Sequence, residues 1–174
     1  ALWPYLQQVT DSMTNPQAVV DAVSVDRDVF QRYPDYVVTL VAAIGIAPGP
    51  SDAASEELLR AAEVAGQSRV AETPLEEWPE VQAWRAAYLS FGVRPRDGRS
   101  SVEALVRRID GGLPRIDRLT DIYNALSVMH AVPIGGEDLA HYSGAARLTI
   151  ATGDESFDTV ADGQPVVQGS PRGS

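Results

Sequence analysis

The first group of residues that could do chemistry follows a predicted helix. Gly135 and Gly136 come directly after Pro133-Ile134 and are followed by the acids Glu137 and Asp138. Glycine lets a ligand approach the backbone closely, and adjacent N–H groups can hold a carbonyl or carboxylate oxygen. A neighbouring carboxylate could bind an α-ammonium group or polarise a water molecule. The same residues also fit an ordinary turn in which the acids cap the next segment.

A second group stands at the start of another predicted helix. Arg99 precedes the hydroxyl residues Ser100 and Ser101, and Glu103 lies at the third helical position. Helix N-termini favour anions because their first backbone N–H groups have no partner inside the helix. Ser100 and Glu103 also form a capping-box pattern, so a structural role accounts for both without a ligand.

Other common catalytic and metal-binding patterns are missing from the sequence. It has no glycine-rich dinucleotide motif, no P-loop, no zinc-hydrolase motif and no Gly-x-Ser-x-Gly. It also has neither cysteine nor lysine, which excludes thiolate and Schiff-base chemistry. His130 and His141, the two histidines, have no neighbouring acid at ligand spacing, so we predict surface or helix-end roles for them, no metal site and no cofactor.

Periodicity predicts the elements that would position these groups. Residues 36–47 (YVVTLVAAIGIA) are nearly all apolar and rich in β-branched side chains, which predicts a strand buried on both faces. Helices are predicted from Asn15-Pro16 to Val23, over 51–66, over 73–91 with a kink or restart at Pro79, from Ser100 to Gly111-Gly112, and over 119–130. Further strands are predicted over 146–152 and near Val166-Val167, after a turn at Asp162-Gly163.

Helical spacing also predicts the buried faces. They are Leu58, Leu59, Ala62 and Ala65; Val81, Trp84, Tyr88 and Phe91; Val102, Leu105, Val106 and Ile109; and Leu119, Ile122, Leu126 and Met129. In the strand over 146–152 we expect Ala146, Leu148 and Ile150 to face inward.

Composition limits the class of partner. With 44% hydrophobic and 22% charged residues the chain is typical of a globular domain. A net charge of −10 argues against binding DNA or RNA along its whole length. No apolar run approaches the ~20 residues of a membrane span, and the N-terminus does not read as a signal peptide. We therefore predict a cytoplasmic protein that binds neither DNA nor a membrane; the sequence does not determine its oligomeric state.

Positive charge is concentrated in one segment. Half of the fourteen arginines lie between Arg94 and Arg118, among only four acids, whereas residues 51–80 hold eight acids and two arginines. Such a segment fits either a solvated helix face or a short phosphate contact, enough for the end of an RNA. The predicted RNA-contacting residues are Arg94, Arg96, Arg99, Ser100 and Ser101.

Several motifs, taken in order along the chain, resemble one known family. They are Trp84-Arg85-x-x-Tyr88-x-x-Phe91-Gly92-Val93-x-Pro95, Arg99-Ser100-Ser101-x-Glu103-Ala104-Leu105-x-Arg107-Arg108, Leu113-Pro114-x-Ile116, Asp121-Ile122-Tyr123-Asn124, the loop Pro133 to Asp138, Gly144-x-x-Arg147-x-x-x-Ala151-x-Gly153-x-Glu155-x-Phe157, and Thr159-Val160-Ala161-Asp162-Gly163. The chain resembles freestanding proteins built on the tRNA-editing domain, of the B-three/B-four type, of the phenylalanyl-tRNA synthetase β subunit.

The resemblance implies an α+β fold, with a mixed β-sheet packed with helices. It spans residues 25–167, which leaves 1–24 as an unassigned N-terminal extension and 168–174 as a flexible tail. The family domain continues past its Thr-Leu-Asp-Gly turn into a glycine-rich segment that carries a pocket glutamate. We therefore expect the editing-like domain of this chain to be incomplete at its C-terminal end.

The resemblance also implies an activity and a pocket. In the synthetase, this domain hydrolyses the ester that links a wrongly attached tyrosine to the phenylalanine tRNA. The implied substrate-binding residues are Asn124, Pro133 and Asp138, and the implied catalytic groups are Glu137 and the backbone amides of Gly135 and Gly136. The family loop reads Pro-x-His-Ala-x-Asp, and its histidine falls on Gly135 here.

Two functions remain open at this point. The first is an aminoacyl-tRNA deacylase that acts in trans on the acceptor end of a mischarged tRNA. The second is a non-catalytic module that binds an aminoacyl-tRNA 3′ end or a free amino acid; the missing family histidine favours this one.

Overall fold

Helices dominate the part of the chain that the computed structural model describes, which is residues 15–141, 144–161 and 164–169. In chain order the elements are α1 (Pro16–Ala22), β1 (Ser24–Val25), α2 (Arg27–Arg32), α3 (Ala53–Glu72), a 3₁₀ turn (Leu75–Glu77), α4 (Pro79–Ser90), α5 (Ser101–Val106), a 3₁₀ turn (Ile109–Gly111), α6 (Arg118–His130), a 3₁₀ turn (Leu139–His141), β2 (Arg147–Leu148), β3 (Ser156–Ala161) and β4 (Gln164–Gly169). The chain folds as two compact units, one over Ala47–Gly136 and one over Ala1–Ile46 with Glu137–Ser174.

Helix α3 is longer than the predicted helix over 51–66 and packs mainly on α6. It begins with a capping box, in which the Asp52 side chain accepts from Ser55 N–H at 2.9 Å and the Ser55 hydroxyl accepts from Asp52 N–H at 3.0 Å. Gly66 allows α3 to lie close to α6 and to Ile109, because a Cβ at this position would lie 2.8 Å from Ile109 Cδ1 and 3.0 Å from Val128 Cγ1. Ala65, predicted to be buried, is exposed.

The predicted restart at Pro79 is confirmed. A 3₁₀ turn precedes it, and α4 then begins at Pro79, in the first turn, where the backbone N–H groups have no partner inside the helix. Trp78, between the two, is fully buried. The aromatic residues Trp84, Tyr88 and Phe91 are only half-buried and contact one another edge to face.

One hydrophobic core serves the unit over residues 47–136. It consists of Leu59, Ala62, Leu75, Trp78, Val81, Val102, Leu105, Val106, Ile109, Leu113, Ala125, Val128 and Ala131. The predicted buried face of the helix after Ser100 is confirmed, since its four apolar residues all belong to this core.

The predicted buried face of α6 is wrong. Leu119 and Met129 are 46% and 42% exposed, whereas the helix buries Asp121, Asn124, Ala125, Ser127 and Val128. Two polar residues of this face, Asp121 and Ser127, bind backbone groups just outside the two ends of the helix, which explains why they point inward. Asp121 Oδ1 accepts from Ile116 N–H at 2.9 Å, and the Ser127 hydroxyl donates to Val132 O at 2.6 Å.

The other unit holds the strands. β1 pairs in parallel with β2, in the register Ser24↔Arg147 and Val25↔Leu148. Arg147 closes this pair with two hydrogen bonds to Asp26, at 2.7 and 2.8 Å. β3 and β4 pair antiparallel, which confirms the predicted final strand; the predicted turn at Asp162-Gly163 lies outside the described residues.

The predicted strand over 36–47 is wrong. No strand is assigned there among the described residues, and Val37 and Val41 are 84% and 86% exposed. A β-branched apolar run favours an extended chain, but a strand needs a hydrogen-bonded neighbour, and no neighbour pairs with this segment in the described structure. The strand predicted over 146–152 shortens to Arg147–Leu148, with Leu148 40% exposed instead of inward-facing.

The fold is therefore α+β and helix-dominated. The described strands form two separate two-stranded sheets, one parallel and one antiparallel, instead of the single mixed sheet that was expected. None of the described helices is long and apolar enough to span a membrane. Gln168 and Gly169, assigned to the predicted tail, belong to β4, and the division into 1–24, 25–167 and 168–174 stays a prediction.

Candidate functional site

The candidate loop starts where α6 ends. Ala131 has a left-handed backbone (φ 53°), and Val132 N–H donates to Ser127 O at 3.1 Å, so the helix stops sharply. The Ser127 hydroxyl then donates to Val132 O. These bonds fix the backbone immediately before Pro133, which supplies a defined start to the loop over 133–136.

The glycine pair of this loop carries unused hydrogen-bond donors. In the described structure neither Gly135 N–H nor Gly136 N–H makes a hydrogen bond, and both residues are exposed. Gly136 lies beside Tyr123, because a Cβ there would be 3.6 Å from Tyr123 Cε1. The loop therefore lies against the part of α6 that also carries Asn124.

Asn124 is nearly buried, at 8% exposure, and its amide has no hydrogen-bond partner among the described residues. Every fully buried side-chain N or O atom in that part of the chain does have a partner. It follows that the Asn124 amide reaches the surface, where a ligand can meet it. No hydrogen bond joins Asn124 to the loop itself within the described chain.

The two acids after the glycine pair differ in their surroundings. Glu137 is exposed, and its carboxylate has no ion pair or hydrogen bond in the described structure. Asp138 caps the next turn: Oδ1 accepts from Ala140 N–H at 3.0 Å, and Oδ2 lies 3.1 Å from His141 Nδ1. The Ala140 N–H group, followed by His141, lowers the pKa of the Asp138 carboxyl.

His141 is 84% exposed, which agrees with the surface role predicted for it. Its one acidic contact in the described structure is Asp138, which stands three residues before it, a spacing that one helical turn brings together. His130 is exposed at the last residue of α6. No group of three or more metal-ligating side chains is present in the described part of the chain.

The predicted RNA-contacting residues form two small clusters. Arg94 Nε donates to Asp97 Oδ2 at 2.7 Å, and Arg96 Nε lies 3.6 Å from Asp97 Oδ1. Both arginine side chains remain largely exposed, at 60% and 71%. One carboxylate is thus shared by two guanidinium groups, which leaves a net positive charge at this turn.

The second cluster surrounds a buried carboxylate. Ser100 caps α5 by accepting from Glu103 N–H at 3.4 Å, while Ser101 is exposed. Glu103 is 1% exposed and does not complete the predicted capping box. Its carboxylate instead accepts from Arg85 Nη2 at 2.7 Å and Nε at 3.2 Å.

Arg107 and Arg99 also pair with the Glu103 carboxylate. Arg107 Nε donates to Glu103 at 3.1 Å, and Arg99 Nε lies 3.8 Å from it. Burial alone would raise the pKa of the Glu103 carboxyl, but the hydrogen bonds from Arg85 and Arg107 hold it below its ordinary value. Arg99 is therefore the one predicted RNA contact whose charge is already partly compensated by a buried acid.

Most of the remaining positive charge in this segment is also paired. Arg107 additionally binds Glu76, Arg115 binds Glu56 and Glu63, and Arg118 pairs with Asp52. Arg108 is exposed and has no ion pair within the described residues. The positive charge available to a partner is therefore limited to a few side chains.

We predict that Glu103→Gln destabilises the fold by about 3 kcal/mol, because breaking a buried ion pair by changing one partner costs roughly 3–5 kcal/mol. We expect the lower end of this range because the side chains of Arg85 and Arg107 are 21% and 38% exposed, so water can solvate their charges once the carboxylate is gone. Urea unfolding at pH 7 measures the change. Glu57→Gln, at an exposed glutamate of α3, is the matched control, and an equal effect of both changes would contradict the assignment.

The Glu103 carboxylate should also make the unfolding free energy depend on pH. Because its pKa is lower in the folded chain, Glu103 contributes stability above the unfolded-state pKa of about 4.3 and loses it as the pH falls through the folded-state value. The difference in unfolding free energy between wild type and Glu103→Gln should therefore shrink below about pH 4.3.

The comparison with family models identifies this region. The model of the B3/4 domain matches residues 83–170, just over half of the 174 residues. The chain belongs to the B3/4 domain family. This domain type occurs in the phenylalanyl-tRNA synthetase β subunit, so the B3/4 match confirms the resemblance that the sequence motifs indicated. No curated protein and no solved structure matches the chain.

The B3/4 match contains all of the predicted site residues. It covers the last two thirds of α4, from Ala83, then α5, α6, the loop over 133–136 and β2 to β4, whereas α3 precedes it. Within the match, the predicted site residues of this B3/4 domain are Asn124, Pro133, Gly135, Gly136, Glu137 and Asp138.

Proposed function

We propose that this synthetase-related B3/4 domain hydrolyses the ester of a mischarged aminoacyl-tRNA in trans. The observation that carries the proposal is a set of polar groups without partners on α6 and in the loop after it: the Asn124 amide and the N–H groups of Gly135 and Gly136. The next residue in the chain, Glu137, adds an unpaired carboxylate. Unpaired donors that are followed in the chain by an unpaired acid suit an aminoacyl ester, which carries a carbonyl oxygen and an α-ammonium group.

The chemistry divides the roles in ester hydrolysis among these groups. A water molecule attacks the acyl carbon, and the glycine N–H groups stabilise the negative charge that develops on the carbonyl oxygen. Glu137 holds the α-ammonium group or orients the water. Asn124 and Pro133 contact the aminoacyl group, and Asp138 supports the loop through its cap on Ala140.

The contact with the tRNA is short in this proposal. The exposed guanidinium groups of Arg94 and Arg96 share one acid, and Arg99 with the hydroxyls of Ser100 and Ser101 follows in the chain. Each neutralised phosphate adds a separate, salt-dependent increment to the binding affinity. Because only a few cations are free here, they suit a contact with the acceptor end of the tRNA and not with a whole duplex. The net charge of −10 agrees with this restriction.

The alternative is a module that binds an aminoacyl end or a free amino acid without turnover. The observation that favours it is the exposure of Glu137, since nothing in the described structure orients that carboxylate toward a water molecule. Under this alternative, the same amides and the same Asn124 hold the ligand, and the ester stays intact.

The test uses the purified chain and a panel of individually charged tRNAs. The proposal predicts release of the amino acid faster than in buffer for at least one mischarged tRNA. The same panel with amide-linked, non-hydrolysable aminoacyl ends is used to measure thermal shifts. A thermal shift with both ligands but no ester hydrolysis would support the binding module and overturn the enzyme.

A further inference from the structure

We propose that Arg85, Arg99 and Arg107 form a binding site for a phosphate monoester, and that its ligand is the 5′-phosphate at the acceptor end of the tRNA. The choice of RNA rests on the proposed function, and the inference adds Arg85 and Arg107 to the residues assigned to the tRNA contact. The three arginines and the acids that they contact all lie in the unit over residues 47–136. The basis of the inference is that three guanidinium groups meet at one carboxylate oxygen.

The meeting point is Glu103 Oε1. Arg85 Nη2 lies 2.7 Å from this oxygen, Arg107 Nε lies 3.1 Å from it, and Arg99 Nε lies 3.8 Å from it. The Glu103 side chain is 1% exposed, whereas the side chains of Arg85, Arg107 and Arg99 are 21%, 38% and 40% exposed. The buried carboxylate therefore holds the guanidinium groups close together while part of each arginine side chain stays open to solvent.

The cluster has more positive charge than its acids neutralise. The acids that pair with the three arginines in the described chain are Glu103 and Glu76, and Glu76 Oε1 lies 2.6 Å from Arg107 Nη2 and 3.8 Å from Arg85 Nη2. Three cations against two carboxylates leave one positive charge. Arg85 and Arg107 donate hydrogen bonds to these acids. Arg99 donates none within the described residues, so its guanidinium donors are available to a ligand.

The excess charge and the convergence of donors fit a terminal phosphate better than a phosphate inside an RNA chain. A phosphate monoester carries a charge of about −1.5 to −2 at pH 7 and has three strong acceptor oxygens. A phosphodiester carries a single charge. Guanidinium groups bind phosphate oxygens through charge-assisted hydrogen bonds, which are about twice as strong as neutral ones. The 5′-phosphate of a tRNA lies at the same end of the molecule as the aminoacyl ester, so one protein domain can contact both.

The experiment measures the affinity of the purified chain for two uncharged acceptor-stem hairpins that differ only in a 5′-phosphate or a 5′-hydroxyl. Wild type should bind the phosphorylated hairpin about tenfold more tightly, which is the lower range for hydrogen bonds to a charged group. Inorganic phosphate should compete with it. Arg99→Gln should keep the fold, because Arg99 makes no hydrogen bond in the described structure. It should remove most of the preference and lower the salt dependence by about one phosphate contact.

Arg60→Gln is the matched control. Arg60 lies on α3, its side chain is 72% exposed, and it pairs with Glu56. Its replacement removes the same charge as Arg99→Gln, but it should leave the preference for the 5′-phosphate unchanged. An equal loss of preference in both variants would show that net charge sets the affinity, and this result would overturn the phosphate site.

No ester is hydrolysed in these measurements, so their outcomes separate the phosphate site from the proposed function. If Arg99→Gln loses the preference but wild type hydrolyses no mischarged tRNA, the phosphate site stands and the proposed function falls. If wild type hydrolyses the ester but neither prefers the phosphorylated hairpin nor binds inorganic phosphate, the phosphate site falls alone. Binding of inorganic phosphate that depends on Arg99, without a preference between the hairpins, would support the phosphate chemistry and reject the tRNA 5′ end as its source.

Discussion

Replacing Trp78 by alanine is expected to lower the unfolding free energy by about 4 kcal/mol, since truncating a buried tryptophan costs roughly 3–5 kcal/mol. Trp78 is completely buried in the core of the unit over 47–136. Its Nε1–H donates to Thr73 O at 3.0 Å, and the Arg69 guanidinium lies 3.9 Å from the ring centroid. The substitution would remove the apolar contacts, the hydrogen bond and the cation–π contact together.

Trp84→Ala is the matched control for this prediction. Trp84 is half-buried on α4 and contacts Tyr88 at a ring-centroid distance of 6.2 Å. Its loss should cost about 1–2 kcal/mol, in proportion to the smaller apolar area that it buries. Urea unfolding measures both variants. If Trp84→Ala cost as much as Trp78→Ala, the core would not be centred on Trp78.

Replacing Glu137 by alanine is expected to reduce ester hydrolysis by about 100-fold, the lower range for loss of a group that acts on the reacting water or positions the substrate. The fold should be unaffected, because the side chain is exposed and makes no contact in the described structure. A loss confined to kcat would assign Glu137 to the water, and a rise in KM would assign it to the α-ammonium group.

Glu57→Ala controls for the loss of one negative charge. Glu57 is exposed on α3 and has no ion pair among the described residues. Removing it should change the weak repulsion of the tRNA as much as removing Glu137 does, but leave the rate of the chemical step unchanged. Equal rates for both variants would remove Glu137 from the mechanism.

Local capping and proline rules predicted much of the helical unit. The restart at Pro79 and the cap at Ser100 depend on neighbouring residues only, so they can be read directly from the sequence. The helix after Ser100 ends at Val106 and is followed by a 3₁₀ turn over Ile109–Gly111, short of the predicted end at Gly111-Gly112. The apolar core face of that helix is also as predicted, although the helix buries Glu103 as well, which the apolar periodicity did not indicate.

Tertiary contacts decided the features that the sequence did not predict. Hydrophobicity favoured Leu119 and Met129 as the buried face of α6, yet Asp121 and Ser127 are buried there. They bind the backbone of Ile116 and Val132, just outside the helix, and Asp121 Oδ2 also accepts from the Ser55 hydroxyl of α3 at 3.5 Å. Residues 36–47 fail as a strand because pairing depends on another segment. The buried face of α6 and the conformation of residues 36–47 both depend on contacts with residues outside the segment itself.

The candidate site, like the helical unit, could be predicted only in part. The glycine loop and Asn124 follow from their residue types and from the family motifs, and the structure adds that their polar groups are unpaired. The extent of arginine pairing could not be foreseen, since the acids that bind Arg107, Arg115 and Arg118 come from other parts of the chain. The Asp138–His141 contact was within reach of the sequence, because its spacing is local.

The most direct test of the account is the initial rate at which the purified chain releases tyrosine from tyrosine-charged phenylalanine tRNA. The account predicts a rate that rises with protein concentration, exceeds hydrolysis in buffer and falls about 100-fold in Glu137→Ala. A release rate equal to that in buffer at every protein concentration, with this tRNA and with the wider panel of mischarged tRNAs, would contradict it.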